Sequence, residues 1–412
     1  MLLAAGAAYF VVAAVKQMRA PEAGVHDFGV YYRAAVAMTH GGRLYGTPPA
    51  CCFNVAAMTG YTYPPVFAAL LVPLTWLPVD DAGRVWLVVC YASLLVVLLA
   101  GVRAAPRPLS RETVAWLGLV FLVAGSVAFA VYELQATPLV VALEAIFALC
   151  VIRDRFVFVG GLCLALAAAF KVSPLLIAPA ILLLPRPSAY RALGGLVGGL
   201  TAAGLLSLAL TDQATYYVFD VLPSFSGGVV SLNNLSLPGV ILRALVAGGV
   251  HAAASLDVIF LVLEVAALVA TWMLCRGVPG ARGRALMIAG FLAVIPIVQG
   301  VTWDHHLIAE ILVLILVVPF TRRWSAGWVL AVGGTLVATA NQHVLENWLA
   351  AHGVAAPYNT FTFTVFVAAA SCNLIGMCAL WAGVVVTARN MRTRDAVDAP
   401  LPVSGSRSPV PV

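Results

Sequence analysis

Asp27 is a lone acid between His26 and Phe28, in the stretch VHDFGVYYRAAVAMTHGGRLYG. The spacing from Phe28 to Met38 predicts an amphipathic helix lying at an interface and closed by Gly41-Gly42. A carboxylate just ahead of that helix has two readings. It is an N-cap, or it is a general base that takes a hydroxyl proton. Tyr31, on the same predicted helix, is a candidate partner for sugar hydroxyls. In the TWDHH turn, Asp304, His305 and His306 are consecutive, so they cannot all point the same way on a helix. A metal there needs a further ligand such as Glu133 or His343, and no HExxH or CxxC spacing supports it, so no metal is expected. The remaining readings are a helix cap with a snorkelling histidine, or a hydrogen-bonding site for an anion such as phosphate. Lys171, followed by Ser173-Pro174, is a snorkelling lysine or a phosphate-binding ammonium. Glu133 and Gln135 in YELQ are interface polars or hydrogen-bond partners of a hydroxyl-rich ligand. Asn233 and Asn234 in SLNNLSLPG form a simple turn or bind sugar hydroxyls, since an amide both donates and accepts.

The elements that carry these residues are set by composition. Of 412 residues, 62% are hydrophobic and 10% charged, with a mean hydropathy of +1.00. Soluble chains run about 45–50% apolar and about 25% charged. A soluble enzyme, a DNA-binding protein and a disulfide scaffold are excluded, and an all-α polytopic membrane protein is expected. Apolar runs over 2–18, 82–102, 113–131, 137–152, 156–171, 173–185, 192–210, 255–275, 285–301, 306–320, 325–341 and 362–387 predict about twelve transmembrane helices. The expected organisation is a first transmembrane helix at 1–18, an extracytoplasmic loop at 19–81, a transmembrane bundle at 82–388, and a disordered cytoplasmic tail at 389–412. Within the loop, YPPVFAALLVPLTWLP is apolar but proline-rich, and predicts a helix lying in or re-entering from the outer leaflet.

The net charge of +6 reports orientation rather than nucleic acid. Arg103, Arg107, Arg111, Arg153, Arg155, Arg186, Arg191, Arg276, Arg282, Arg284, Arg322, Arg323 and the tail arginines fall on one side, which takes most of the 23 basic residues. Lys16, Arg19, Arg33, Arg43, Arg84, Lys171 and Arg243 fall on the other. The arginine-rich side is cytoplasmic by the positive-inside rule, so both termini are expected inside and the plasma membrane is the expected location. The polar clusters then gather on the outer face, a functional-site signature in membrane proteins.

The first segment reads as a retained span rather than a cleaved signal. The Pro/Ser-rich end has nothing to bury. Cys51 and Cys52 are adjacent without a distal outer partner, so a loop-stapling disulfide is not expected. Asn234-Leu235-Ser236 fits the weak N-glycosylation pattern. There is no P-loop and no GxGxxG, so a nucleotide-driven cytoplasmic reaction has no footing.

Taken in order, HDFGVYYRAA with GGRLYG, TYPPVFAALLVPLTWLP, ELQATPLVVAL, FKVSPLLI, SLNNLSLPGVILRAL and TWDHHLI resemble glycosyltransferase family 87, typified by actinobacterial α-1,2-mannosyltransferases, over about residues 25–320. The resemblance implies a GT-C fold and an integral membrane enzyme that takes mannose from a polyprenyl-phosphate carrier on the outer face and passes it to a glycolipid or glycan, without a cofactor. It implies a general base at Asp27 and a donor-phosphate role for Lys171 and for His305 or His306. The family's usual glycine-glutamine turn is Leu134-Gln135 here. A secondary transporter or lipid-carrier flippase is the competing expectation, and arabinose the alternative donor sugar. Transporters, however, keep their ionisable groups near the midplane on broken helices.

Overall fold

The computed structural model describes residues 11–12, 14–19, 21–46, 60–225, 234–247, 255–321, 326–339 and 360–397. Asn233, Cys51 and Cys52 lie outside the described residues, as do most of the expected first span and residues 398–412. The described chain is helical and contains no strand.

Helix α1 (Asp27–Thr39) starts one residue earlier than its periodicity suggested. Its N-cap is His26, in extended conformation, so Asp27 occupies the first helical position rather than the cap. The helix ends where Gly41 adopts φ +66° and Gly42 N–H reaches the Ala37 carbonyl at 2.7 Å. Its buried face is Phe28, Tyr31, Ala34 and Ala35, and Phe28 stacks on Trp86 with ring centroids 5.9 Å apart. Helix α2 (Pro65–Leu71) takes proline at its first position and passes into a 3-10 turn over Val72–Trp76. Together they rise roughly 20 Å, short of the roughly 30 Å hydrocarbon core.

Helix α3 (Val79–Ala104) has Asp80 and Asp81 in its first turn and Arg103 in its last, each sign matched to the helix dipole. Helices α4 (Arg111–Val123) and α5 (Gly125–Tyr132) meet at a 46° bend at Ala124. The continuous span expected over 113–131 is therefore a broken pair, because Ala124 is extended (φ −64°, ψ 117°) and interrupts the helical hydrogen bonds. Next come α6 (Thr137–Arg153) and α7 (Val157–Phe170), then a 3-10 segment over Ser173–Leu183 whose Pro174 and Pro179 lack the N–H an α-helix needs. The second half comprises α8 (Arg186–Leu210), α9 (Leu237–Ala247), α10 (Ser255–Cys275), α11 (Gly280–Val298), α12 (Ile308–Val317), α13 (Ala326–Thr339) and α14 (Thr360–Val397). α14 continues through residues 389–397, where a tail was expected.

Among the described residues five helices are long and apolar enough to cross a membrane, or six if the bent pair counts as one. Several other expected runs form shorter apolar helices, among them α7, α12 and the 3-10 segment over Ser173–Leu183, and most of the run at 2–18 lies outside the described residues. Burial sorts the long ones. α11 is 83% buried across its apolar window and forms the centre, whereas α8 and α10 are 17% buried and turn apolar side chains such as Leu205, Val258 and Val262 outward.

α7 and α8 pack backbone to backbone. A Cβ on Gly161 would lie 2.0 Å from the Ala192 carbonyl, and one on Gly195 would lie 2.1 Å from that of Phe158. Gly161→Val is therefore expected to cost about 3 kcal/mol or to abolish folding. Gly194→Val, whose Cβ meets nothing within 4 Å, serves as the control. Thermal unfolding of the two purified variants in detergent checks this, and equal melting temperatures would contradict it.

The two ends of the bundle differ in chemistry. At one end Arg153 donates to the carbonyls of Arg103 and Ala105, and Arg284 donates to that of Ile152, gathering the arginine-rich connections. At the other end Asp27, Gln135, Lys171 and His306 come together.

Candidate active site

The Leu134-Gln135 turn places the first functional group. Leu134 holds φ +53°, a left-handed conformation that glycine adopts freely and leucine at a cost of about 1–2 kcal/mol. Leucine is kept there by its packing, since the side chain is fully buried and the Trp86 indole N–H donates to its carbonyl at 2.8 Å. The turn therefore holds a backbone conformation open to glycine, and Gln135 projects inward, 1% exposed. Its amide N–H donates to Asp27 Oδ2. Its Oε1 accepts from the Tyr31 hydroxyl at 2.9 Å, and Tyr31 in turn bonds the Tyr63 hydroxyl at 2.9 Å. Burial, with Tyr63 and Asp27 nearby, pushes the Tyr31 phenol well above its ordinary range, so it stays protonated as a fixed donor to Gln135. The chain Tyr63–Tyr31–Gln135 thus holds one oxygen of Asp27 from behind. Beside it, His26 Nδ1 and Glu133 Oε2 lie 3.3 Å apart, tying the same two segments together.

Aromatic rings bridge from here to the second group. Tyr31 and Tyr63 pack edge to face (5.0 Å), Tyr63 packs on Phe67 (5.2 Å), and Phe67 packs on Phe170 (5.1 Å), the residue before Lys171. Where α7 ends, Lys171 is extended (φ −152°, ψ 124°), and its Nζ meets His306 Nε2. His306 sits in the 3-10 turn Asp304–Leu307. Its Nδ1 accepts from the Trp303 backbone N–H at 3.3 Å and lies 3.2 Å from Gln299 Nε2. With Nδ1 accepting, the neutral ring's proton lies on Nε2 and faces Lys171 Nζ. Two donors cannot bond each other, so the contact holds with Lys171 as the neutral amine, and a protonated Lys171 leaves both nitrogens in want of an acceptor. An anion is the ligand that satisfies both.

A half-open cavity with about 420 Å³ of empty space is lined by Lys171, His306, Gln299, Ser173, Thr137 and Glu144, together with apolar residues of α6 and α11. The charges of both Glu144 and Asp27 act on Lys171, although Asp27 is not itself among the residues that line the cavity.

The remaining sequence candidates lie elsewhere. His305 is 1% exposed, turned perpendicular to His306, and stacks toward Phe129 at 6.0 Å, so it does not line the cavity. Asp304 is buried in the same turn and is likewise absent from the lining. Asn234 is fully buried. Its Oδ1 accepts from Ser236 N, Ser236 Oγ and Thr302 N, and its Nδ2 donates to the Gly300 carbonyl. Those bonds lock α9's start to the segment before the histidine turn, so its amide acts on the fold. Among the described residues, no three His, Cys, Asp or Glu side chains converge as a metal site requires.

Glu144, Gln299 and Tyr63 belong to the site without having been singled out in the sequence. Glu144 carried a readable signal, a lone acid within an apolar run, which in a membrane helix is a functional-site hypothesis by default. Glu310 carries the same signal, yet α12 lines the cavity through Ala309 and turns Glu310 away.

One end of this bundle of apolar helices thus carries a carboxylate, a lysine–imidazole pair and a polar-lined cavity. The profile of glycosyltransferase family 87 matches residues 61–298, more than half of the chain, and the chain belongs to that family. It is a membrane protein and a glycosyltransferase, with a sugar donor and an acceptor as substrates. No curated protein matches it. Gln135, Glu144 and Lys171 fall inside the matched segment, whereas Asp27 and His306 fall outside it.

Proposed function

We propose that this chain transfers mannose, with inversion, from a polyprenyl-phosphate donor to a glycolipid or glycan acceptor at the outer face of the plasma membrane, as an α-1,2-mannosyltransferase-like enzyme. Arabinose is the alternative donor sugar. The observation that carries the reading is that Asp27, oriented by Gln135, acts by its charge on Lys171, which lines a cavity together with His306.

In the proposed step the acceptor hydroxyl oxygen attacks the anomeric carbon. The bond from that carbon to the phosphate oxygen breaks, and its electron pair leaves with polyprenyl phosphate. The hydroxyl proton goes to Asp27. Lys171 and His306 hold the phosphate as its charge grows from one to two, and stabilising that charge is the larger contribution a site of this kind makes. A lipid-linked donor suits a cavity at the end of a membrane bundle, because the prenyl chain stays in the bilayer while the sugar enters the site. Asp304, His305 and Glu133 support the turns around the site in this reading.

The decisive comparison with a transporter is made in detergent, where no compartment exists to transport into. The purified protein is expected to release polyprenyl phosphate from polyprenyl-phosphate mannose in micelles. Activity confined to sealed vesicles, appearing as movement of intact donor, would overturn the enzyme reading.

Orientation is tested with single cysteines in a cysteine-free background. Val25 and Phe156 are 80% and 75% exposed and lie at opposite ends of the bundle. Val25→Cys is expected to react with an impermeant maleimide on intact cells, and Phe156→Cys only after permeabilisation. The reverse pattern would place the site in the cytoplasm.

A further inference from the structure

We propose that Glu144 reads the donor sugar, accepting hydrogen bonds from ring hydroxyls remote from the anomeric carbon. The inference rests on the sugar-transfer reading above and adds a specificity determinant to it.

The cavity is a slot between two helices. Thr137, Val140, Val141 and Glu144 line it from α6 and Leu292, Ile295, Pro296 and Gln299 from α11, each set at the i, i+3, i+4, i+7 spacing of one helix face. The donors Lys171, Ser173, Gln299 and His306 cluster at the end where Thr137 lies. Glu144 sits two turns further along α6, roughly 10 Å away by helical rise. It is 6% exposed. Among the described residues no Lys, Arg or His nitrogen comes within 4.0 Å of its carboxylate, and none donates it a hydrogen bond. A buried carboxylate left in that state is costly unless something donates to it. Pro296 adds a second acceptor on the facing wall, because it has no N–H to give the Leu292 carbonyl.

A slot with anion-binding donors at one end and acceptors at the other matches a glycosyl phosphate lying along it. The phosphate stays with Lys171 and His306, the anomeric carbon stays near Asp27, and the hydroxyls at C3, C4 or C6 reach Glu144. Glu144 and Lys171 line the same cavity without a direct ion pair, so the charge of one acts on the other across it while the carboxylate oxygens stay open to a ligand's hydroxyls.

The test crosses two enzymes with five donors: wild type and Glu144→Gln, each with polyprenyl-phosphate mannose and its 2-, 3-, 4- and 6-deoxy forms. Against the full sugar, kcat/KM of the variant is expected to fall roughly 10- to 100-fold, the size of one hydrogen bond to a charged acceptor. Against one of the 3-, 4- or 6-deoxy donors that deficit is expected to shrink to within about threefold, because the lost partner is already absent. A deficit of equal size on every donor, relief with the 2-deoxy donor alone, or a fully active Glu144→Gln would each overturn the assignment. Glu144→Asp keeps the charge and is carried in parallel. If Glu144→Gln does not fold, the same selective relief must appear, smaller, with aspartate, and its absence overturns the assignment. Wild type inert toward all five donors is a different failure, that of the sugar-transfer reading itself, and the inference falls with it.

Discussion

Asp27→Asn is expected to fold, insert and bind donor like wild type, yet to lose about 10²–10⁴-fold in turnover. Two sizes of effect separate the base from a structural carboxylate. His26 is the N-cap of α1, so Asp27 contributes to the helix through its charge near the positive end, worth about 0.3–1 kcal/mol. Asparagine forfeits that much stability at most, and its amide oxygen still accepts from Gln135 as the carboxylate does. An amide nitrogen, however, cannot take the acceptor's proton. Stability and turnover should therefore part company in this variant. Initial-rate transfer at matched protein and matched melting temperature measures the difference. Activity within a few-fold of wild type would leave Glu133 and Asp304 as the next acids to examine.

Lys171→Met is expected to lower kcat/KM for the donor by about 10²–10³-fold, with His306→Gln following in the same direction. A snorkelling lysine at a helix end reaches outward for water, whereas Lys171 turns in to His306. Methionine keeps the length of the stem and removes the charge, so packing is largely preserved while the phosphate loses its ammonium. His306→Gln keeps a side chain that donates but loses the ring's fixed direction, set by Trp303 and Gln299. Binding of polyprenyl monophosphate, the leaving group, should weaken in parallel. Wild-type turnover and wild-type phosphate binding in both variants would mean that the pair serves only the fold.

Much of this was legible in the sequence, and the reasons differ by residue. The helical membrane class follows from composition alone. The arginine-rich connections were readable as one group because orientation is encoded in charge, and the bonds from Arg153 and Arg284 gather them at one end. Which apolar runs form full-length helices was not readable, because hydropathy cannot tell a ten-residue buried helix such as α12 from part of a longer one. Leu134 looked like a departure that cast doubt on Gln135. Sequence shows the missing glycine but not the burial that lets leucine hold φ +53°. Asn234 read equally well as a sugar ligand or a turn, and only the partners of its amide, Gly300, Thr302 and Ser236, decide which. The two histidines were inseparable as neighbours. The 3-10 turn sets their rings at 90°, sending one to Lys171 and the other toward Phe129.

The account stands on one reaction, and its stoichiometry is the most direct measurement of it. Purified wild-type protein is incubated in detergent with polyprenyl-phosphate mannose labelled in the sugar and a lipid extract as acceptor, with no nucleotide sugar present. The expected result is one polyprenyl phosphate released for each mannose that appears in glycolipid, with the new linkage opposite in anomeric configuration to the donor. Donor left intact while a nucleotide-linked sugar is consumed instead, or a product that retains the donor's configuration, would contradict it.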